Sequence, residues 1–152
     1  MKKKILLLLL ASFCLSISAF AAPEKFEKYS GEAVTYDEIL SSPKVVLFLW
    51  TTRCPYCREE LQKMNLDYTI SKYAKFYFVD IGERRQDVEK VVKSMKLKEH
   101  IFANIIFDKD AKMAEKFSII GVPTFIYMRN GQVVDQGYYF DESILKTVFR
   151  NE

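Results

Sequence analysis

The chain of 152 residues has little of what defines several specialised classes of protein. It contains only three cysteines, four prolines and five glycines, which excludes a disulfide-dense miniprotein and a collagen-like repeat. No internal repeat or low-complexity segment is present. Hydrophobic residues make up 49% and charged residues 28% of the chain, and this balance favours one globular domain over a disordered protein.

Residues 1–21 have the composition of a secretory signal peptide. Lysines at positions 2–4 precede an apolar run over residues 5–17, and small residues follow it up to Ala21. The run is shorter than the about 20 apolar residues that a membrane-spanning helix needs. We therefore expect cleavage after Ala21, with a retained membrane anchor as the alternative. Export predicts the periplasm or another extracytoplasmic compartment of a bacterium.

The excess positive charge of the chain lies in this same segment. The formal net charge is +3, and the lysines at positions 2–4 account for all of it, so the exported part is neutral. A neutral domain has no electrostatic basis for binding nucleic acid or an anionic membrane surface. We also expect a monomer. Cys14 is lost with the signal peptide, so Cys54 and Cys57 are the two cysteines that remain.

Residues 22–34 show no clear periodicity and are interpreted as a lead-in to a domain that comprises residues 35–152. Within this domain strand patterns alternate with helix patterns, which indicates an α/β fold. Predicted strands cover residues 45–50, 75–81, 105–107, 124–128 and 132–139. Predicted helices cover residues 36–40, the segment after Cys54, residues 88–95, residues 111–117 and the segment after Asp141. We expect a central mixed β-sheet flanked by helices, parallel at first and antiparallel at its end.

The two cysteines lie where the strand at residues 45–50 passes into a helix. Cys54 is placed at the helix start, where unpaired backbone N–H groups and the helix dipole stabilise a thiolate. Pro55 suits the first helical turn because it has no N–H to leave unpaired. Cys57 follows one turn later and can reach Cys54 to resolve a mixed disulfide. The arrangement predicts a redox-active pair.

Three further roles for the cysteine pair remain open at this point. A structural disulfide would close a very small loop and would therefore stabilise little. Half of a zinc site would lack a second cysteine pair, and His100 is the single histidine of the sequence. Inert core thiols are disfavoured because a helix start after a buried strand is an exposed place.

Helix periodicity separates two neighbouring glutamates. At about 100° per residue, Glu60 flanks the face of the helix that carries Cys57, whereas Glu59 points the opposite way. Glu59 can then pair with Lys63 one turn later. We expect Glu60 to be partly buried beside the second cysteine and Glu59 to be exposed.

Three separate segments resemble the thioredoxin superfamily and, more narrowly, the exported TlpA/ResA-like thiol:disulfide oxidoreductases. The segment 50–57, WTTRCPYC, is similar to the active-site stretch of that family, although Arg53 stands where a tryptophan is commoner. The segment 121–124, GVPT, resembles the loop whose proline is cis. The segment 108–117 before that loop, together with the extra helix and strand between residues 84 and 107, resembles the central insertion of the subgroup. The resemblance covers about residues 35–150 and implies a thioredoxin-like fold with this insertion before the cis-proline loop.

The resemblance implies roles for the matching residues. Cys54 would be the nucleophile and Cys57 the resolving thiol. Glu60 occupies the place of a carboxylate that tunes proton transfer near the cysteines. A cis Pro123 would let Val122 offer backbone groups to an extended substrate.

Four further residues are expected to border the substrate, namely Trp50, Pro55, Tyr56 and Thr124. Thioredoxin itself has a buried aspartate six residues before the first cysteine, and Phe48 stands at that position here. A proton route through this strand is therefore expected to be absent. This absence favours Glu60, on the following helix, as the carboxylate that serves the cysteines.

The resemblance implies disulfide exchange with proteins of the cell envelope, with reduction slightly favoured, as in cytochrome c maturation or envelope thiol reduction. No metal or cofactor is expected beyond the Cys54–Cys57 disulfide, and an unidentified redox partner would recharge it. A thiol peroxidase is one alternative, with Thr51 three residues before Cys54 but Leu47 in place of an upstream proline. The other alternative is a copper-binding chaperone, for which the cysteine spacing is one residue short.

Overall fold

The computed structural model describes residues 23–150, and the expected signal peptide lies outside that range. The strands are β1 (Lys25–Lys28), β2 (Ala33–Thr35), β3 (Lys44–Trp50), β4 (Lys75–Ile81), β5 (Ile105–Asp108), β6 (Thr124–Arg129) and β7 (Gln132–Gly137). They form one seven-stranded sheet in the order β2-β1-β5-β4-β3-β6-β7.

The helices are α1 (Tyr36–Ile39), α2 (Pro55–Leu66), α3 (Arg85–Ser94), α4 (Glu99–Phe102), α5 (Lys112–Lys116) and α6 (Glu142–Val148), with a 3-10 turn at Ile70–Lys72. None of the helices between residues 23 and 150 has the length and hydrophobicity needed to span a lipid bilayer.

The strand β3 lies inside the sheet because both of its faces are apolar. Residues 45–50 are all buried. β3 pairs in parallel with β4 and antiparallel with β6, and β4 pairs in parallel with β5. The predicted mixed sheet is therefore confirmed. The carboxyl ends of the parallel strands meet at one edge, and the cysteine motif follows β3 at that edge.

Helices cover both faces of the sheet. The helices α2, α3, α4 and α6 pack on the face that carries Phe48, Phe78 and Phe125. On the opposite face, Ile39 of α1 and Met113 of α5 join a second apolar cluster. The insertion predicted between the active-site helix and the cis-proline loop is present as α3, α4 and β5.

The strands β1 and β2 correct the expectation that the domain begins at residue 35. β1 pairs antiparallel with both β2 and β5, so this segment is part of the sheet rather than a lead-in to it. One side chain of each strand is buried, Phe26 in β1 and Val34 in β2. Strands this short, with one buried residue each, produce no detectable period in the sequence.

The hairpin between β6 and β7 turns where the sequence predicted it. Asn130 and Gly131 have φ angles of 51° and 76°, the left-handed backbone that a tight hairpin requires. β7 is shorter than predicted, because it ends at Gly137. Tyr138 and Tyr139 therefore lie in the loop before α6 rather than in a strand.

Candidate active site

The cysteine pair lies where β3 passes into α2. Cys54 is the N-cap residue of α2, and Pro55 is its first residue. Cys54 and Cys57 form a disulfide, with their Cα atoms 5.2 Å apart. The Cys54 sulfur also accepts a hydrogen bond from the backbone N–H of Cys57 at 3.0 Å. Cys57 is buried and Cys54 is half-buried, so Cys54 carries the sulfur that another molecule can reach.

The loop before β6 faces Cys54. Its Val122–Pro123 peptide bond is cis, as the resemblance implied. The Cys54 sulfur lies 3.8 Å from the carbonyl oxygen of Val122. The Thr124 hydroxyl donates a hydrogen bond of 2.7 Å to the carbonyl oxygen of Gly121. This hydrogen bond closes the loop on itself, directly beside the reachable sulfur.

The four residues expected to border a substrate divide into two groups. Pro55 is exposed and Tyr56 is 67% exposed, so both can contact a partner. Trp50 is fully buried and Thr124 is 1% exposed. The prediction that these two side chains contact the substrate is therefore wrong, because the surrounding protein encloses them. A strand that is apolar on both faces gives no sign in its sequence of which end side chain reaches the surface.

Glu60 is buried one turn after Cys57, as the helical angles predicted. Its two carboxylate oxygens have different partners. The Lys63 ammonium donates to one oxygen at 2.7 Å, and the backbone N–H of Phe140 donates to the other at 2.7 Å. Lys63 therefore pairs with Glu60 rather than with Glu59, which corrects the predicted ion pair. Glu60 joins α2 to the loop that precedes α6.

A groove of about 410 Å³ lies beside the cis-proline loop, and we call it the aromatic groove. It is lined by Tyr56, Glu60, Gly121, Val122, Pro123, Tyr138 and Tyr139. Tyr138 and Tyr139 are 59% and 63% exposed, so the groove presents tyrosine rings to solvent. The sequence prediction missed both tyrosines because it placed them in a strand.

Glu83 holds the turn that precedes Cys54 from the other side. Its carboxylate accepts hydrogen bonds from the backbone N–H of Thr52 and, at 2.8 Å, from the Thr52 hydroxyl. The Arg53 guanidinium lies 3.5 Å from the same carboxylate. The sequence prediction missed Glu83 because this contact depends on the pairing of β3 with β4.

A second acidic residue, Asp80, is enclosed in the sheet next to this turn. It lies opposite Trp50 in the β3–β4 pair and is fully buried. Neither carboxyl oxygen makes a hydrogen bond of ordinary length and angle within the described part of the chain. Burial raises the pKa of Asp80 to about 8, and the nearby charge of Glu83 acts in the same direction. β3 has Phe48 where thioredoxin has a buried aspartate. In this chain a buried aspartate lies instead on the neighbouring strand β4, at Asp80.

The geometry defines a class of site. A disulfide between residues three positions apart, at a helix start that follows a central strand and faces a cis-proline loop, is a redox site of the thioredoxin class. Between residues 23 and 150, no three His, Cys, Asp or Glu side chains are placed so that they could hold one metal ion together. A profile of the thioredoxin-like domain matches residues 39–151, and the chain therefore belongs to that family.

Among curated proteins, the chain is similar to sporulation thiol-disulfide oxidoreductase A of Bacillus subtilis. The two are 27% identical over 96 residues. The match covers 59% of this chain and 56% of that protein, so it spans little more than half of the relative. The relationship to thiol-disulfide oxidoreductases that the motifs implied is confirmed at the level of the family.

Solved structures of similar fold include three from bacteria. DsbF of Mycobacterium tuberculosis has a TM-score of 0.67 and 17% identity, covering 82% of this chain and 91% of that one. StoA of Bacillus subtilis has a TM-score of 0.62 and 22% identity, covering 83% and 95%. The thioredoxin domain of a thiol-disulfide oxidoreductase from Bacteroides vulgatus has a TM-score of 0.66 and 21% identity, covering 84% and 91%. At these identities the likeness establishes the fold.

Proposed function

We propose that the chain is an exported thiol–disulfide oxidoreductase that exchanges disulfides with proteins of the cell envelope, in the direction of reduction. One observation carries the proposal: the Cys54–Cys57 disulfide caps α2, and its half-exposed sulfur lies 3.8 Å from the carbonyl oxygen of Val122. A sulfur at a helix start is stabilised as a thiolate by the unpaired N–H groups and the dipole. In the reduced protein, the N–H of Cys57 is placed to donate to that thiolate.

Exchange proceeds in two sulfur-transfer steps. The Cys54 thiolate attacks one sulfur of a substrate disulfide, the substrate S–S bond breaks, and the leaving sulfur takes a proton. Cys57 then loses its proton and attacks Cys54 in the mixed disulfide, which forms the Cys54–Cys57 bond and releases the second substrate thiol. The substrate gains two electrons from the two enzyme cysteines. It also gains two protons, one that Cys57 gives up and one from solvent, because Cys54 starts as a thiolate. A dithiol partner, oxidised in turn, returns the enzyme to its reduced form.

Glu60 is the proposed proton acceptor for Cys57. Cys57 is fully buried, so water has little access to its thiol when that thiol must ionise. Glu60 is buried one helical turn away and is held in place by Lys63 and by the backbone of Phe140. A fixed carboxylate on the same face of the helix supplies the base that solvent cannot.

The aromatic groove is the proposed binding place for the polypeptide around the substrate cysteine. An extended chain that lies along Val122 would form backbone hydrogen bonds there, and its side chains would meet Tyr56, Tyr138 and Tyr139. Exposed tyrosines offer large contact area at low entropic cost, which suits them to bind varied polypeptides.

Trapping of mixed disulfides tests the proposal. The full chain with Cys57→Ser, expressed in a bacterium, is expected to accumulate covalent adducts with envelope proteins, visible on a non-reducing gel. Cys54→Ser is the matched control and should form none, because Cys57 is buried. Absence of adducts from Cys57→Ser would contradict the assignment. The reduction potential against glutathione tests the direction, since values of about −270 mV favour a reductase and values of about −120 mV an oxidase.

A further inference from the structure

A polar cleft lies on the opposite side of the cysteine motif from the aromatic groove, and it has a volume of about 590 Å³. It is lined by Thr52, Arg53, Arg58, Gly82, Glu83, Arg84, Asp87, Lys90, Val91 and Ser94. The two sites lie on opposite sides of Cys54 because β3 has a different neighbouring strand on each side, β6 on one and β4 on the other. The loop before β6 contributes to the groove, whereas the loop after β4 and the first turns of α3 contribute to the cleft, which we call the basic cleft.

The basic cleft carries an excess of positive charge. Four of its lining residues are cationic and two are anionic. The carboxylate of Glu83 is only 9% exposed and is already engaged by the Thr52 turn. Asp87 is shared between Arg84 at 2.8 Å and Lys90 at 3.1 Å, so one carboxylate serves two cations. Because residues 22–152 are neutral overall, this surplus is a local feature of the surface beside the cysteines.

The cations of the cleft are available to a partner. The side chains of Arg53, Arg84 and Lys90 are 90%, 80% and 75% exposed. Arg58 lies one turn after Cys54 on α2, and its Nε donates to the Thr52 carbonyl oxygen at 2.9 Å. The guanidinium of Arg58 is therefore held between the redox motif and the rest of the cleft. When the cysteine of a substrate is bound at Cys54, the substrate residues next to that cysteine would therefore lie close to the cations of the cleft.

We propose that the basic cleft binds an acidic segment of the protein substrate while the substrate cysteine occupies Cys54. The inference rests on the proposed disulfide exchange and adds the class of substrate: polypeptides with aspartate or glutamate close to the reacting cysteine. Carboxylates suit arginine side chains, which bind them through two parallel hydrogen bonds. A polypeptide is favoured over a nucleic acid because the cleft adjoins the redox sulfur and residues 22–152 carry no net positive charge.

The reduction rates of three peptides that differ only in charge test the inference. Three synthetic peptides carry the same disulfide, with the three residues beside one cysteine being all Glu, all Gln or all Lys. The second-order rate of their reduction by the reduced protein is measured at low and high salt. We expect the Glu peptide to react at least about threefold faster than the Lys peptide at low salt, and the ratio to approach one at high salt.

A paired charge reversal separates the cleft from general electrostatics. Arg84→Glu with Lys90→Glu is expected to abolish or invert the ratio of the Glu to the Lys rate. Lys72→Glu with Lys75→Glu changes the net charge equally at the opposite end of β4 and should leave the ratio as in the unaltered protein. Equal rates for all three peptides, or a ratio that the cleft variant does not change, would overturn the inference. Failure to reduce any peptide, the Gln peptide included, would instead overturn the proposed function.

Discussion

The carboxylate of Glu60 accepts a hydrogen bond of 2.7 Å from the backbone N–H of Phe140, eighty residues further along the chain. This contact fastens the helix that carries Cys57 to the loop that carries Tyr138 and Tyr139. One buried side chain therefore lies between two features of functional interest, Cys57 one helical turn away and the wall of the aromatic groove. Its structural role and its proposed chemical role are separable by substitution.

Glu60→Ala is expected to lower the free energy of unfolding by about 1–3 kcal/mol, because it leaves the half-buried N–H of Phe140 without its acceptor. Glu60→Gln keeps an oxygen for that N–H and should restore most of the stability. The proton acceptor is absent from both variants, so both should slow the release of substrate from the mixed disulfide. Urea unfolding and single-turnover exchange measure the two effects. Recovery of the exchange rate by Glu60→Gln would refute the proton-transfer role and leave the structural one.

The turn before Cys54 depends on Glu83. Glu83→Ala removes the acceptor of both Thr52 hydrogen bonds and should lower the free energy of unfolding by about 2 kcal/mol. Glu83→Gln retains one acceptor oxygen and should lower the free energy of unfolding by about half as much as Glu83→Ala does. Glu115→Gln, at an exposed position of α5, controls for the loss of one carboxylate. Equal stability of the Ala variant and the unaltered protein in urea would show that Thr52 finds another partner.

Parts of the fold and site were predictable because their signals are local. A continuous apolar run marks β3, a two-residue turn marks the hairpin at Asn130–Gly131, and the spacing of Cys54 and Cys57 places both on one helical turn. The depth of Glu60 followed from helical angles alone. Each of these features depends on residues that are neighbours along the chain.

The features that sequence reasoning missed depend on contacts between distant segments. Glu83 reaches Thr52 only because β4 pairs in parallel with β3, and the register that places Asp80 opposite Trp50 is fixed by the same pairing. An aspartate within an apolar strand is a signal that could have indicated a buried acid. The β1–β2 hairpin joins the sheet by pairing with β5, about eighty residues away, and its own residues carry no period.

The exposed tyrosines of the loop before α6 provide a prediction about substrate binding. Tyr138→Ser combined with Tyr139→Ser removes most of the aromatic wall and is expected to raise KM for a disulfide-bonded peptide by about fivefold, which is roughly 1 kcal/mol of apolar contact. The KM for a small disulfide that carries no peptide should change much less. Tyr68→Ser removes a tyrosine that is 57% exposed elsewhere and serves as the control. Equal losses with peptide and small disulfide would place the effect on Cys54 chemistry rather than on binding.

Asp80 is surrounded by groups that oppose its ionisation. It is fully buried, and both Glu83 after β4 and Asp108 on β5 add negative charge nearby. Its pKa of about 8 in the folded protein compares with about 3.9 in an unfolded chain. Between these two values the folded state holds a proton that the unfolded state has lost. The free energy of unfolding contributed by this group therefore falls as the pH rises from about 4 to about 8.

Asp80→Asn removes this pH dependence while keeping a neutral side chain of the same shape. The stability of the variant relative to the unaltered protein should increase as the pH rises from 5 to 8, by up to about 1.4 kcal/mol per pH unit. Urea unfolding of the oxidised proteins at pH 5, 6, 7 and 8 measures the difference. Asp110→Asn, in the exposed turn after β5, controls for the loss of one carboxylate at the surface. Curves that run parallel for the Asp80 variant and the unaltered protein would mean that Asp80 is ionised in the fold, with a cation or water to stabilise it.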